Sequence, residues 1–213
     1  SILGNPYIVS LENLENGLFK KEDFELFRNL PKDYVDFASV YKLKDDLFKK
    51  LEKKINIKEN IYQDFLEDDE IRKHITFITI SEVTNKNWNL WTNDYRNYSE
   101  NLFELMNDRF PNIVSKHIFL QYEFNKQWKS LKNYANKKNI SVLGDIPIYV
   151  NHNSADVWLN KDLFDLDEGY NMSFVSGAVP DEFTEEGQVW NTALYDWDEH
   201  LNQNYQYWVN KLN

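Results

Sequence analysis

The chain has 213 residues, no cysteine, and a formal net charge of −11 from 35 acidic and 24 basic side chains. That length suits one large domain or two small ones, able to bury a core without staples. The missing cysteine removes disulfides, thiolate metal sites and cysteine nucleophiles, and the acidic surface repels a phosphate backbone, which argues against DNA or RNA as a partner.

The chain begins Ser1-Ile2-Leu3-Gly4-Asn5-Pro6, without an initiator methionine, and reads like a cut made inside a longer protein. No basic-apolar-small leader and no membrane-length apolar run occurs, so the expectation is a soluble, cytoplasmic protein with no membrane partner. Gly4, Pro6 and Gly17 predict a loop, a short extended piece and a turn. From about Asp36, Leu43, Leu47, Leu51 and Ile55 recur every four residues and predict a helix. Asn60 is placed to cap the next one, with Ile61 and Phe65 on one face. Residues 75–80 are β-branched like a strand, but Ile71, Ile75 and Ile78 share a helical face, and the helical reading is preferred. Residues 84–98 read as a polar loop anchored by Trp88 and Trp91. The strongest helix is expected over 112–138, with Val114, Ile118, Leu120, Phe124, Trp128, Leu131 and Ala135 in one stripe and Asn139 as a left-handed stop.

The character then changes. Residues 140–150 are nearly all apolar, as a parallel strand buried on both faces would be, with Pro147 marking its C-terminal end. A long acidic, aromatic stretch follows to 193, and loops of that length in compact domains are usually functional or disordered. A last helix is expected with Asp198 as cap and Leu201, Tyr205, Trp208 and Leu212 on one face. The fold class is therefore α/β, predominantly helical with few strands. Residues 1–139 form a mostly helical region, and 140–213 a strand, a shaped loop and a helix.

Several chemistries are excluded by spacing. The four histidines are scattered and show no HExxH pattern, so a zinc site is not expected, and no phosphate loop or GxSxG elbow occurs. Asp162, Asp165, Asp167 and Gly169 imitate a calcium loop, but Tyr170 stands where glycine is required, leaving a solvated acidic turn. Two candidates remain. Asp145 follows the expected strand, where ligands of α/β proteins bind, although an aspartate there also holds turns through backbone N–H groups. Residues 175–197 combine Gly177, Pro180 and Gly187 with Phe183, Trp190, Tyr195 and Trp197, and Asp181 and Gln188 add hydrogen-bonding groups. Aromatic residues make up 16% of the chain, and flat rings suit the apolar face of a pyranose. They equally suit a small aromatic core under a long loop.

Five ordered blocks carry a resemblance. They are Gly4-Asn5-Pro6-Tyr7; Gln121-Tyr122-Glu123-Phe124-Asn125-Lys126-Gln127-Trp128; Gly144-Asp145-Ile146-Pro147-Ile148-Tyr149-Val150; Ser154-Ala155-Asp156-Val157-Trp158; and Val175-Ser176-Gly177-Ala178-Val179-Pro180-Asp181, which continues through Gly187-Gln188-Val189-Trp190 to Leu194-Tyr195-Asp196-Trp197. Together they resemble the 4-alpha-glucanotransferase family (amylomaltase, disproportionating enzyme).

The resemblance implies a (β/α)8 TIM barrel with an inserted helical subdomain, of which this chain is a fragment. It implies transfer of α-1,4-glucan segments between maltooligosaccharides by a retaining double displacement, without a cofactor. It places the nucleophile, the acid/base glutamate and a third carboxylate beyond Asn213, so no catalytic residue is assigned here and the chain alone is expected to be inactive. Carried over as substrate-binding are Asp145 and the loop residues Asp181, Phe183, Gln188 and Trp190. The block from Ser154 to Trp158 is read as structural. Departures occur at Val179, where the family usually has proline, at Glu182, where it usually has an aromatic residue, and at Asn191-Thr192-Ala193, where it usually has Gly-Asn-Pro; they bear on the loop's geometry and stacking contacts. A glucan-binding module without chemistry and a helical interaction domain are the alternatives. A barrel fragment exposes strand edges, which predicts self-association.

Overall fold

The computed structural model describes residues 3–14, 17–55, 57 and 60–212. Among them the chain is mostly helical: α1 (Phe37–Leu51), α2 (Asn60–Phe65), α3 (Asp69–Thr84), α4 (Asn93–Arg96), α5 (Leu102–Arg109), α6 (Pro111–Lys137), α7 (Ala155–Leu159), α8 (Trp197–Asn202) and α9 (Gln206–Leu212). Among the described residues, regular strand is confined to an antiparallel hairpin of β1 (Gly177–Ala178) and β2 (Gln188–Val189). None of the described helices is long and apolar enough to cross a membrane. Contacts divide the chain into two units, one of residues 1–79 and 103–144, the other of 80–102 and 145–213, so 80–102 group with the C-terminal part.

In the first unit α1 starts where Asp36 caps it, its carboxylate accepting from Ser39 N at 3.1 Å, and buries Leu47, Phe48 and Leu51. The side chain of Asn60, the expected cap of α2, lies outside the described residues. The β-branched run at 75–80 lies inside α3, where Ile75 and Ile80 are buried. Helical periodicity and the Asp69–Lys73 and Glu70–Lys73 pairs of the first turn agree with helix. In α6, Val114, Ile118, Phe119 and Leu120 enter the core. The helix ends as expected at Asn139, whose φ is 58°. Ile140 N bonds the Ala135 carbonyl at 3.0 Å and Asn139 N the Asn136 carbonyl at 3.0 Å, the paired bonds of a Schellman stop.

The apolar stripe of α6 is only half buried. Trp128, Leu131 and Tyr134 stay exposed along an open groove of about 560 Å³ that Ile8, Val9 and Phe124 also line.

Two glutamines of α6 hold the N-terminal segment. Gln121 accepts from Gly4 N and donates to Gly4 O, both at 2.9 Å; Gln127 treats Ser10 the same way at 2.8 and 3.1 Å. Between them Lys44 donates to the Tyr7 and Val9 carbonyls. Gly4 is required because a Cβ there would meet Phe124 at 2.2 Å. The first two resemblance blocks thus bind each other.

The second unit packs around tryptophan. Trp88 is fully buried, with its indole N–H on the His152 carbonyl at 2.7 Å. Trp91 meets Trp158 edge-on at 5.9 Å, and the Trp158 indole N–H reaches the Tyr95 carbonyl at 3.1 Å. The expected polar loop at 84–98 is therefore pinned by its tryptophans, with α4 and a 3-10 turn (Trp88–Leu90) inside it. Ser154 caps α7 by accepting from Val157 N.

Two expectations fail. Residues 140–149 form no strand and are not buried: Leu143 is 98% exposed, and Ile140, Ile148 and Tyr149 are also exposed. A parallel strand is held by ladders to its neighbours, and among the described residues none lies beside this segment. The final helix is two. Asp196, not Asp198, caps α8 by accepting from Glu199 N at 3.0 Å, and left-handed Asn204 and Tyr205 separate α8 from α9. Asp198 sits in the first turn, where an acid suits the helix dipole without capping it.

Candidate functional site

The hairpin of the second unit carries four of the five sequence candidates. Gly177 pairs with Val189 and Ala178 with Gln188, and Trp190 N extends the pairing to the Ser176 carbonyl at 3.0 Å. Both glycines are needed. A Cβ on Gly177 would stand 2.1 Å from the Gln188 carbonyl oxygen, and Gly187 has φ +73° with the Ala178 oxygen 2.6 Å from the Cβ position. At the hairpin base the Ser176 hydroxyl bonds Thr192.

Gln188 in β2 and Trp190 just beyond its end are two positions apart, and their side chains meet. The Trp190 indole N–H donates to Gln188 Oε1 at 2.9 Å, which fixes the plane of an exposed ring. At the tip, Asp181 Oδ1 accepts from Phe183 N at 2.9 Å and Thr184 N at 2.8 Å, and the Phe183 ring is left 84% exposed. Val179 and Val189 are exposed as well, so the hairpin displays apolar surface and a fixed indole, with amide groups beside them.

The bonds from Thr184 and Phe183 hold the Asp181 carboxyl below its ordinary value of 3.8. A carboxyl depressed in the fold supports it above the unfolded value and loses that support as pH falls through the folded value. The tip turn is therefore expected to open on acidification below 3.8. Amide shifts of Phe183 and Thr184 followed by NMR check this; a midpoint at or above the ordinary value contradicts it.

Asp145 stands alone. It is exposed, its Oδ1 accepts from Ile146 N at 2.8 Å, and among the described residues it makes no hydrogen bond with the other four. The bond reaches only the next residue, so the carboxylate leans on its own backbone. Its segment is nevertheless tied to the exit of the hairpin. Ala193 N bonds the Val150 carbonyl at 3.3 Å, His152 N the Asn191 carbonyl at 3.2 Å, and the Tyr195 hydroxyl the Ile148 carbonyl at 2.6 Å. Burial pushes the Tyr195 phenol up to about 12, so it remains a donor through the neutral range.

The sequence reading missed Ser176 and Thr192 as hairpin anchors, since their partnership depends on register. Asp167, from the false calcium loop, takes Gly169 N and Asn171 N at 2.8 Å each and so serves an acidic turn. Among the described residues no group of three His, Asp or Glu side chains is placed to hold a metal ion.

Comparison with known proteins gives one answer. The family profile described as 4-alpha-glucanotransferase matches residues 1–213. The 4-alpha-glucanotransferase of Clostridium butyricum is 36% identical over 98% of this chain and 44% of its own length. That of Aquifex aeolicus is 31% identical over 98% of this chain and 43% of its own length, and the chloroplastic/amyloplastic enzyme of Solanum tuberosum 34% identical over 98% and 38%. The amylomaltase of Streptococcus agalactiae, solved in complex with acarbose, superposes with a TM-score of 0.81 at 28% identity, covering 98% of this chain and 44% of that one. The chain spans roughly two fifths of the length of these relatives.

Proposed function

The chain belongs to the 4-alpha-glucanotransferase family, and from that premise we propose that the whole protein moves α-1,4-glucan segments between maltooligosaccharides by a retaining double displacement. The carboxylates that the resemblance assigns to that chemistry are not among residues 1–213. On this reading the chain supplies binding surface: the hairpin presents Phe183, Gln188 and Trp190 to a glucan, Asp181 shapes the tip, and Asp145 offers a carboxylate to a sugar hydroxyl. The supporting observation is the exposed Trp190 ring held by Gln188, a flat apolar face with an amide at its edge. The acarbose bound by the Streptococcus agalactiae amylomaltase agrees with an oligosaccharide ligand.

The same reading makes 140–150 a strand of a (β/α)8 barrel in the whole protein and 1–139 a helical insertion, in a cytoplasmic enzyme that works without a cofactor. Alone, the chain self-associates through its exposed apolar segment at 140–149. A second reading, glucan binding without chemistry, is favoured by one observation: Asp145 and Asp181 both spend a carboxylate oxygen on backbone N–H groups, and neither is poised to attack.

The test is disproportionation of maltotriose, followed as glucose release, by residues 1–213 and by the full-length gene product. Activity in the full-length product alone is the expected result. Activity in the 213-residue chain overturns the placement of the carboxylates, and glucan retention with both inactive favours the binding module.

A further inference from the structure

Two cations of the second unit meet one aromatic ring. The Lys161 ammonium lies 5.1 Å from the centre of the Tyr170 ring and 5.7 Å from that of Trp88. The Arg96 guanidinium lies 5.5 Å from the same Tyr170 ring. Neutral groups receive both. Lys161 Nζ donates to Asn97 Oδ1 at 2.9 Å, Arg96 Nη1 to the Asn89 carbonyl at 3.4 Å, and Arg96 Nη2 to Asn93 Oδ1. Among the described residues neither has a carboxylate within ion-pair distance. Burial pulls the Lys161 ammonium below its ordinary range; Asp162 opposes this through its field, and Arg96 adds to it. Arg96 Nε and Asn89 Oδ1 are buried without a hydrogen-bond partner.

Neighbouring like charges disfavour each other, and the ordinary relief is a carboxylate. This chain carries 35 acidic residues, yet positions 89, 93, 97 and 171 around the pair are all asparagine. An amide fixes the geometry of a cation without neutralising it, so both charges and several N–H donors stay available to an anion from outside. A planar guanidinium fork and a compact ammonium that meet one ring and feel each other's field suit a tetrahedral oxyanion. The Trp88 and Tyr170 rings exclude water on one side, which strengthens the attraction, while Asn93, Asn97 and Asn171 form an exposed rim for entry.

We propose that Arg96 and Lys161, set against Tyr170, bind a dianionic phosphate group, carried by free phosphate or by a phosphorylated sugar. The site does not depend on the glucan reading of the hairpin.

The experiment is NMR of the chain, following Arg96 Nε–H and Trp88 Nε1–H as inorganic phosphate, glucose 6-phosphate or sodium chloride is added at constant ionic strength. Saturable shifts with the two phosphates but not with chloride are expected. Equal affinities make the free ion the ligand, and tighter binding of the ester makes it a sugar phosphate. Lys161→Gln is expected to weaken binding at least tenfold. Asn97→Asp, which brings a carboxylate to Lys161 without removing a side chain from the core, is expected to do the same. Shifts that rise without saturation, that chloride reproduces, or that persist unchanged in Asn97→Asp overturn the site.

Discussion

Trp158→Ala is expected to cost about 3–5 kcal/mol of folding stability and to unfold the second unit at moderate urea. Trp158 is 1% exposed, meets Trp91 and Tyr98 edge-on, and spends its indole N–H on the Tyr95 carbonyl. Truncation leaves a cavity among rings that cannot collapse into it, and orphans a carbonyl at a further cost of roughly 1–3 kcal/mol. Whole domains are stable by only about 5–15 kcal/mol. Trp158→Phe keeps most of the volume and should lose less than half as much. Urea unfolding followed by far-ultraviolet circular dichroism measures both variants; a loss under about 1 kcal/mol for the alanine means that the ring does not hold the unit together.

Trp190→Ala is expected to do the reverse: little to stability, much to binding. The residue is 46% exposed, so its removal should cost only about 1 kcal/mol of stability, well below the loss at Trp158. If the hairpin is the glucan surface, the variant should bind maltoheptaose roughly 30-fold more weakly, equivalent to about 2 kcal/mol, the scale of an aromatic anchor. Gln188→Ala should weaken binding less, because it frees the indole without removing it, and the loss is then one of orientation. Isothermal titration of the chain and both variants reads this directly. Unchanged affinity in Trp190→Ala removes the hairpin from the binding surface.

The helices were legible because their signals are local. The four-residue recurrence in α1 and the position of Asn139 each fix a feature within a few turns, and α1, α3 and α6 formed where expected. The segment at 140–150 shows the limit. Its composition reports the environment a strand would need, but a strand also needs neighbours to ladder with, and among the described residues none lies beside it. The expected cap, Asp198, lies two positions late, because an aspartate at either place suits a helix start; the bond from Glu199 N shows that Asp196 is the cap. In the hairpin, Gly177, Gly187 and the aromatics marked a shaped loop, whereas the pairing that brings Ser176 to Thr192 depends on register. Lys161 and Asn97 lie 64 positions apart, and no spacing rule joins them.

The glutamine grip on the N-terminal segment sets a timetable for synthesis. Gly4 and Ser10 each wait for a partner 117 positions later. At about 5–20 residues per second, the segment leaves the ribosome roughly 6–23 s before Gln121 and Gln127 emerge to receive it. Through that interval Val9 and Leu11, buried in the finished fold, are open to chaperones and to neighbouring nascent chains, so a slow stretch of codons before position 127 would lengthen the time for which they stay uncovered.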